Sequence, residues 1–187
     1  MQIFRLFEEI DWMKIINTKF YGLKIIKGVN HYDKRGYFRE TFKNNLFKNK
    51  KLIFWCMSKS KKNVLRGLHL QTKNQQDKFV SVIKGKIFDV ALDLRSRSKT
   101  YGQKFSIILS DKNSTSLFIP AGFAHGFCGL DNENLVFYGC TNYQSKKNEI
   151  GILWNDRSLK IKWPVKKPII TKKDKNNLTF LEYKKLY

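Results

Sequence analysis

Short runs of alternating apolar and polar residues recur along most of the chain, each ended by turn residues. Lys14 to Phe20 and Leu23 to Ile26 are two such runs, with Gly22 between them. Leu52 to Met57, Val64 to Gln71, Lys78 to Ile83 and Lys86 to Leu94 read as further strands. Charged or polar loops from Ser58 to Asn63 and Thr72 to Asp77, and a turn at Lys84-Gly85, separate them. Phe105 to Leu109, Ser116 to Ile119 and Leu135 to Thr141 continue the series. Helical spacing is scarce. Phe42, Leu46 and Phe47 recur at i, i+4, i+5 and predict a short amphipathic helix over Thr41 to Asn49, and Leu178 to Lys185 predicts another, after a C-terminal loop that carries Lys172-Lys173-Asp174. Many short strands with little helix argue an all-β sandwich or barrel. No repeat or linker divides the pattern, so we expect one domain over 13–187, with residues 1–12 a dispensable extension before Met13.

Two stretches carry more than pattern. In Lys86 to Leu94, alternation puts Ile87, Asp89, Ala91 and Asp93 on one face and Phe88, Val90, Leu92 and Leu94 on the other. Two acids on a buried apolar face need partners. In Val64 to Gln71, Arg66 and His69 are an odd number of residues apart and face opposite sides of a regular strand. They serve one site only if Gly67 bends the strand. Pro120 to Phe127 reads as a tight glycine-rich turn carrying a second histidine, His125.

Composition narrows the function classes. The chain has 187 residues, 42% of them hydrophobic, which suits a globular domain with a real core. No uninterrupted apolar run approaches the roughly 18 residues of a spanning helix, and none near the start resembles a signal segment. We expect a soluble cytoplasmic protein with no membrane partner. Cys56, Cys128 and Cys140 form no CxxC and read as reduced thiols. The net charge of +22 invites a nucleic-acid reading. However, the excess is lysine scattered along the chain, with only seven arginines and no binding motif, so no specific nucleic acid is expected.

A small β-barrel can hold a ligand in its mouth. His69, Lys78, Asp89, His125, Tyr138 and Asp174 are the residues able to meet there as a proton-transfer set: histidine, orienting acid, lysine and tyrosine. Pro120-x-Gly122-x-x-His125 resembles the second motif of the cupin barrels. Gly67-x-His69-x-Gln71, followed by Lys78 and Gly85, resembles a disabled first motif. Lysine stands where metal-binding cupins carry a carboxylate, and the chain has three histidines, so we expect no metal and no cofactor.

A more extended resemblance runs from about Met13 to Asp174. Asp33-x-Arg35-Gly36-x-Phe38-x-Glu40, Ser58 to His69, Gln76-x-Lys78 and Phe88-Asp89-Val90-Ala91-x-Asp93-x-Arg95 carry its first half. Ile119-Pro120-x-Gly122-Phe123-Ala124-His125-Gly126-Phe127, Trp154-Asn155-Asp156, Trp163-Pro164 and Lys173-Asp174 carry the rest. On these motifs the chain resembles the dTDP-4-dehydrorhamnose 3,5-epimerase family. The resemblance implies a homodimeric jelly-roll barrel acting on a nucleotide-sugar. It implies His69 as the base beside the C4 ketone, Asp174 as its partner, Lys78 on the enolate oxygen and Tyr138 as the acid on the opposite face. Asp89 and His125 would support the site. Arg35, Phe38, Glu40, Arg66, Ser58 and Tyr143 would contact substrate, with Arg35 and Glu40 reaching the neighbouring subunit's site. Where the family usually places a glutamine and an asparagine two residues apart, this chain has Phe54 and Cys56. A tyrosine often found after Tyr143 is Gln144. The alternatives are an epimerase of another nucleotide-linked keto sugar or of one carbon only, and a non-catalytic sugar-nucleotide-binding cupin. A third is a polyanion-binding surface protein.

Overall fold

The computed structural model describes residues 13–47 and 50–187. The first twelve residues, expected to be dispensable, lie outside that range. In chain order the strands are β1 Lys14–Asn17, β2 Lys24–Lys27, β3 His31–Asp33, β4 Gly36–Phe38, β5 Phe54–Ser60, β6 Leu65–Gln71 and β7 Lys78–Lys84. They continue with β8 Lys86–Asp93, β9 Lys104–Ser110, β10 Thr115–Ile119, β11 Phe123–Gly129, β12 Asn134–Cys140 and β13 Glu149–Gly151. Two short helices follow, α1 Lys172–Lys175 and α2 Phe180–Leu186.

One sheet has the order β1-β2-β10-β7-β12-β5, the other β13-β6-β11-β8-β9, and β3 and β4 form a separate hairpin. The eight strands β5 to β12 divide between the two large sheets as a jelly roll divides them, in the orders β5-β12-β7-β10 and β6-β11-β8-β9. The fold is therefore the expected all-β jelly roll.

The core sits between the sheets. Val80, Val82, Leu117, Ile119 and Val136 from one meet Ile87, Ala91, Leu109, Phe123 and Phe127 from the other. The outer face of the second sheet is covered as well. Leu68, Leu70, Val90, Leu92 and Ala124 pack against Ile152, Leu159 and Tyr183 of the C-terminal segment. This double cover explains why β8 is apolar on both faces.

Four local expectations need correction. The helix over Thr41 to Asn49 is a single 3-10 turn, Asn44–Leu46, with residues 48 and 49 outside the described range. No side chain caps it and its first turn carries no acid. Aromatic packing wins instead: Phe47 stacks on Phe118 with ring centres 4.0 Å apart, and Phe42 meets Phe79 at 5.2 Å. Strand β5 runs on to Ser60, because β12 pairs with it from Cys140↔Phe54 to Asn134↔Ser60, so Ser58 to Ser60 belong to the sheet. The glycine-rich turn is shorter than expected, and strand begins at Phe123. Asp174 lies in α1 and not in a loop.

Both buried acids of β8 have partners. Asp89 meets His125. Asp93, fully buried, accepts from Arg95, Ser98 and Thr100. Burial alone would raise the Asp93 carboxyl, but these donors outweigh it and hold it at about 2. A carboxylate lowered on folding stabilises above its unfolded value and loses that contribution as pH falls through its folded value. Asp93→Asn should therefore cost about 2 kcal/mol near neutral pH. In denaturant titrations at several pH values, the gap from the parent protein should narrow between pH ~4 and ~2. A gap that stays constant across that range contradicts the assignment.

Candidate active site

One cavity, about 350 Å³ in volume, opens between the two sheets. Its lining includes Arg66, His69, His125 and Phe127 from the β6–β11 side and Lys78, Tyr138, Phe54, Cys56 and Cys140 from the β5–β12–β7 side. Asp174 and Lys173 of α1 and Glu149 of β13 close it.

A bulge in β6 brings Arg66 and His69 together. His69 pairs with His125 and Arg66 with Phe127, so three steps along β6 match two along β11. Gly67 sits inside that extra step with φ +113°, a conformation that favours glycine. A Cβ at Gly67 would lie 2.6 Å from Gly126 Cα, and one at Gly126 would lie 2.7 Å from Arg66 O. The two glycines let the strands touch, and both polar side chains reach the same cavity.

His69 Nε2 lies 2.7 Å from Asp174 Oδ1. With Nε2–H donating to the carboxylate, Nδ1 carries the free lone pair. Asp174 is held by its own helix: its backbone N–H donates to the Thr171 cap at 3.1 Å, and its carboxylate also accepts from Gly67 N–H. Burial would raise the Asp174 carboxyl, but the hydrogen bond and charge of His69 outweigh it and the net shift is downward. An ionised Asp174 fixes the orientation of the imidazole.

Across the cavity stand Lys78, first residue of β7, and Tyr138 of β12. Burial pushes the Lys78 ammonium below the usual lysine range. Burial also pushes the Tyr138 phenol well above its usual range, so it stays protonated at neutral pH. Its oxygen is 2.9 Å from Ser58 Oγ, and its ring stands edge-on to His125 at 6.4 Å. Buried His125 Nε2 lies 2.8 Å from Asp89 Oδ2, a pair that stiffens the floor beneath Tyr138.

The structure thus gathers His69, Lys78, Tyr138, Asp174, His125 and Arg66 around one space, with Ser58 and Asp89 directly behind. Tyr143 stands outside the lining, 67% exposed, with its ring 5.9 Å from Phe54. Arg35, Phe38 and Glu40 do not line this chain's cavity. Arg35 is exposed on the β3–β4 hairpin and paired with Asp33, and Glu40 is paired with Lys43.

Glu149 and Lys173 line the cavity as an ion pair that sequence reasoning did not single out. Burial would raise the Glu149 carboxyl, but Lys173 and the charge of His69 outweigh it and leave it lowered. Its strand has three residues, too few for alternation to show. Lys173 was visible only as the neighbour of Asp174. Among the described residues no group of three His, Cys, Asp or Glu side chains is placed to hold a metal ion.

The family model described as dTDP-4-dehydrorhamnose 3,5-epimerase matches residues 17–182. The dTDP-4-dehydrorhamnose 3,5-epimerase of Shigella flexneri is 41% identical over 176 residues, covering 91% of this chain and 97% of the relative. That of Neisseria gonorrhoeae is 40% identical over 178 residues; the match covers 92% of this chain and 54% of the relative, so the chain spans about half of that longer protein. Among solved structures, the dTDP-6-deoxy-D-glucose-3,5-epimerase of Legionella pneumophila, in complex with dTDP-4-keto-L-rhamnose, superposes with a TM-score of 0.84. It is 39% identical, and the match covers 88% of this chain and 91% of that one. The chain belongs to the dTDP-4-dehydrorhamnose 3,5-epimerase family.

Proposed function

We propose that this protein inverts C3 and C5 of dTDP-4-keto-6-deoxyglucose, giving dTDP-4-keto-L-rhamnose, by proton removal and return beside the C4 ketone. The observation that carries this is the placement of a base and an acid on opposite walls of one cavity. His69 with Asp174 stands on one sheet, and Tyr138 stands on the other. A base on one face of the sugar and a protonated phenol on the other exchange a proton with inversion; a single residue returns it to the face it left.

His69 Nδ1 takes the proton from the carbon next to the ketone, and Asp174 stabilises the imidazolium that forms. The electrons move to the ketone oxygen, where the Lys78 ammonium meets the developing charge in a site shielded from water. Tyr138, kept protonated by burial, delivers a proton to the opposite face. Arg66 offers its guanidinium to the diphosphate, and its Nε–H donates to Ser60 Oγ at 3.0 Å, which holds it in place. Three free cysteines suit a cytoplasmic enzyme.

The working unit is a homodimer. Arg35 and Phe38 are exposed, with Phe38 at 62%, on a hairpin outside the large sheets, and with Glu40 they serve the neighbouring subunit's cavity. His69→Ala should lower kcat by about 10³-fold or more while dTDP binding stays within about threefold. Mixing His69→Ala with Arg35→Ala subunits should restore activity, because each mixed dimer holds one cavity with both residues intact. An active His69→Ala protein contradicts the mechanism, and a mixture no more active than its parts contradicts the shared site.

Lys78 puts a positive charge where a metal-binding cupin holds its ion, and both cavity histidines are already paired with aspartates. No metal takes part. Treatment with chelator should leave turnover unchanged, and a loss restored by added divalent metal contradicts this.

A further inference from the structure

One wall of the cavity has a composition that bears on what the site recognises. Alternation along β5 sends Phe54, Cys56 and Ser58 inward and leaves Trp55 and Met57 exposed. The Ser58 hydroxyl is already engaged by Tyr138. Beside this row, Cys140 of β12 sits opposite Phe54 in the register and also lines the cavity. This strip of the wall, beside Lys78 and Tyr138, is therefore a phenyl ring and two thiols. Burial pushes both thiols up, Cys140 to about 11, so they are neutral at physiological pH and only weak hydrogen-bonding groups.

The cavity's amide side chains are partly committed elsewhere. Gln76 Nε2 donates to Asn142 O at 2.7 Å, and Gln144 Nε2 donates to Glu149 at 3.2 Å. At the outer end of the wall, the rings of Phe54 and Tyr143 lie 5.9 Å apart at 55°, and Tyr143 is open to solvent. Arg66, Lys78 and Lys173 supply the positive charge of the same cavity. For a ligand with a negative diphosphate, a polar sugar and a flat base, the rim of Phe54 and Tyr143 offers an aromatic face at the open end of this wall.

We propose that the base is held by stacking on Phe54 and Tyr143 and that β5 does not read its hydrogen-bonding edge, so that pyrimidine nucleoside diphosphates carrying different bases bind nearly alike. The inference rests on the nucleotide-sugar reading above and adds the selectivity of that site. Stacking uses the π-face that every base has; removing an aromatic partner typically weakens binding by roughly 5- to 150-fold, irrespective of the base. Edge readout behaves differently. A site built on hydrogen bonds rejects a mismatched partner by roughly 10⁴-fold, because its own polar groups are left unpaired. A phenyl ring and two neutral thiols have little to leave unpaired.

Thymine and 5-methylcytosine separate the two cases. They share ring, methyl group and π-face, but thymine presents an N3–H donor and a carbonyl where 5-methylcytosine presents an N3 acceptor and an amine. Titration calorimetry of dTDP and 5-methyl-dCDP, which share deoxyribose and diphosphate, reads the difference without turnover. The dissociation constants should agree within about fivefold. Phe54→Ala should weaken both by a common factor of about ten, and Phe54→Tyr should restore both. A preference for dTDP above about fiftyfold overturns the inference, as does a Phe54→Ala protein that binds both as tightly as the parent. Equal binding by a protein that exchanges no sugar protons upholds it and overturns the epimerase reading. Binding of neither nucleotide overturns both.

Discussion

The contact between Gly67 and Gly126 is the constraint on which the site depends. Two backbones approach there more closely than any side chain allows, and the approach absorbs one extra residue into β6. At the same spacing in a regular strand, Arg66 and His69 fall on opposite faces of the sheet, and one of them leaves the cavity. With the bulge, the cation and the imidazole share a space. The Gly67 N–H also donates to Asp174, so the bulge helps to hold the acid that orients the histidine. One local departure from regular strand geometry thus places three of the polar groups.

The jelly roll contributes the second condition, two walls that carry different chemistry. The β6–β11 wall holds His69 with its aspartate partner, and the facing wall holds Lys78 and the phenol of Tyr138. The apolar core between the sheets excludes water at the cavity's base. That low-dielectric setting pushes the tyrosine up and keeps its phenol protonated; it pushes the lysine down, against the charged ammonium, while strengthening the attraction of that ammonium for any anion beside it. The packing that closes the core therefore also tunes the groups beside the ligand space.

Much of this was legible in the residues. Alternation in β8 separated its two faces correctly and required partners for Asp89 and Asp93, which His125 and Arg95 supply. The odd spacing of Arg66 and His69 around Gly67 required a bend, and the bulge provides it. Other features were not legible, because they depend on distant chain. Phe42 and Phe47 have helical spacing, yet their rings pack on Phe79 and Phe118, which no local pattern encodes. The polar end of β5 becomes strand because β12 pairs with it. Glu149 enters the cavity from a strand of three residues that carries no period of its own. The aromatic and thiol wall shows a limit of another kind: Phe54 and Cys56 were visible as departures from the family pattern, but their shared face with Cys140 appears only in the paired strands.

The central claim is that protons beside a C4 ketone are removed on one face and returned on the other. Proton NMR of dTDP-4-keto-6-deoxyglucose with the protein in deuterium oxide tests it most directly. The account predicts loss of both the C3 and C5 proton signals as deuterium enters, together with signals of the inverted sugar. Loss at one carbon alone contradicts the two-centre reaction, and retention of both signals contradicts the epimerase reading itself.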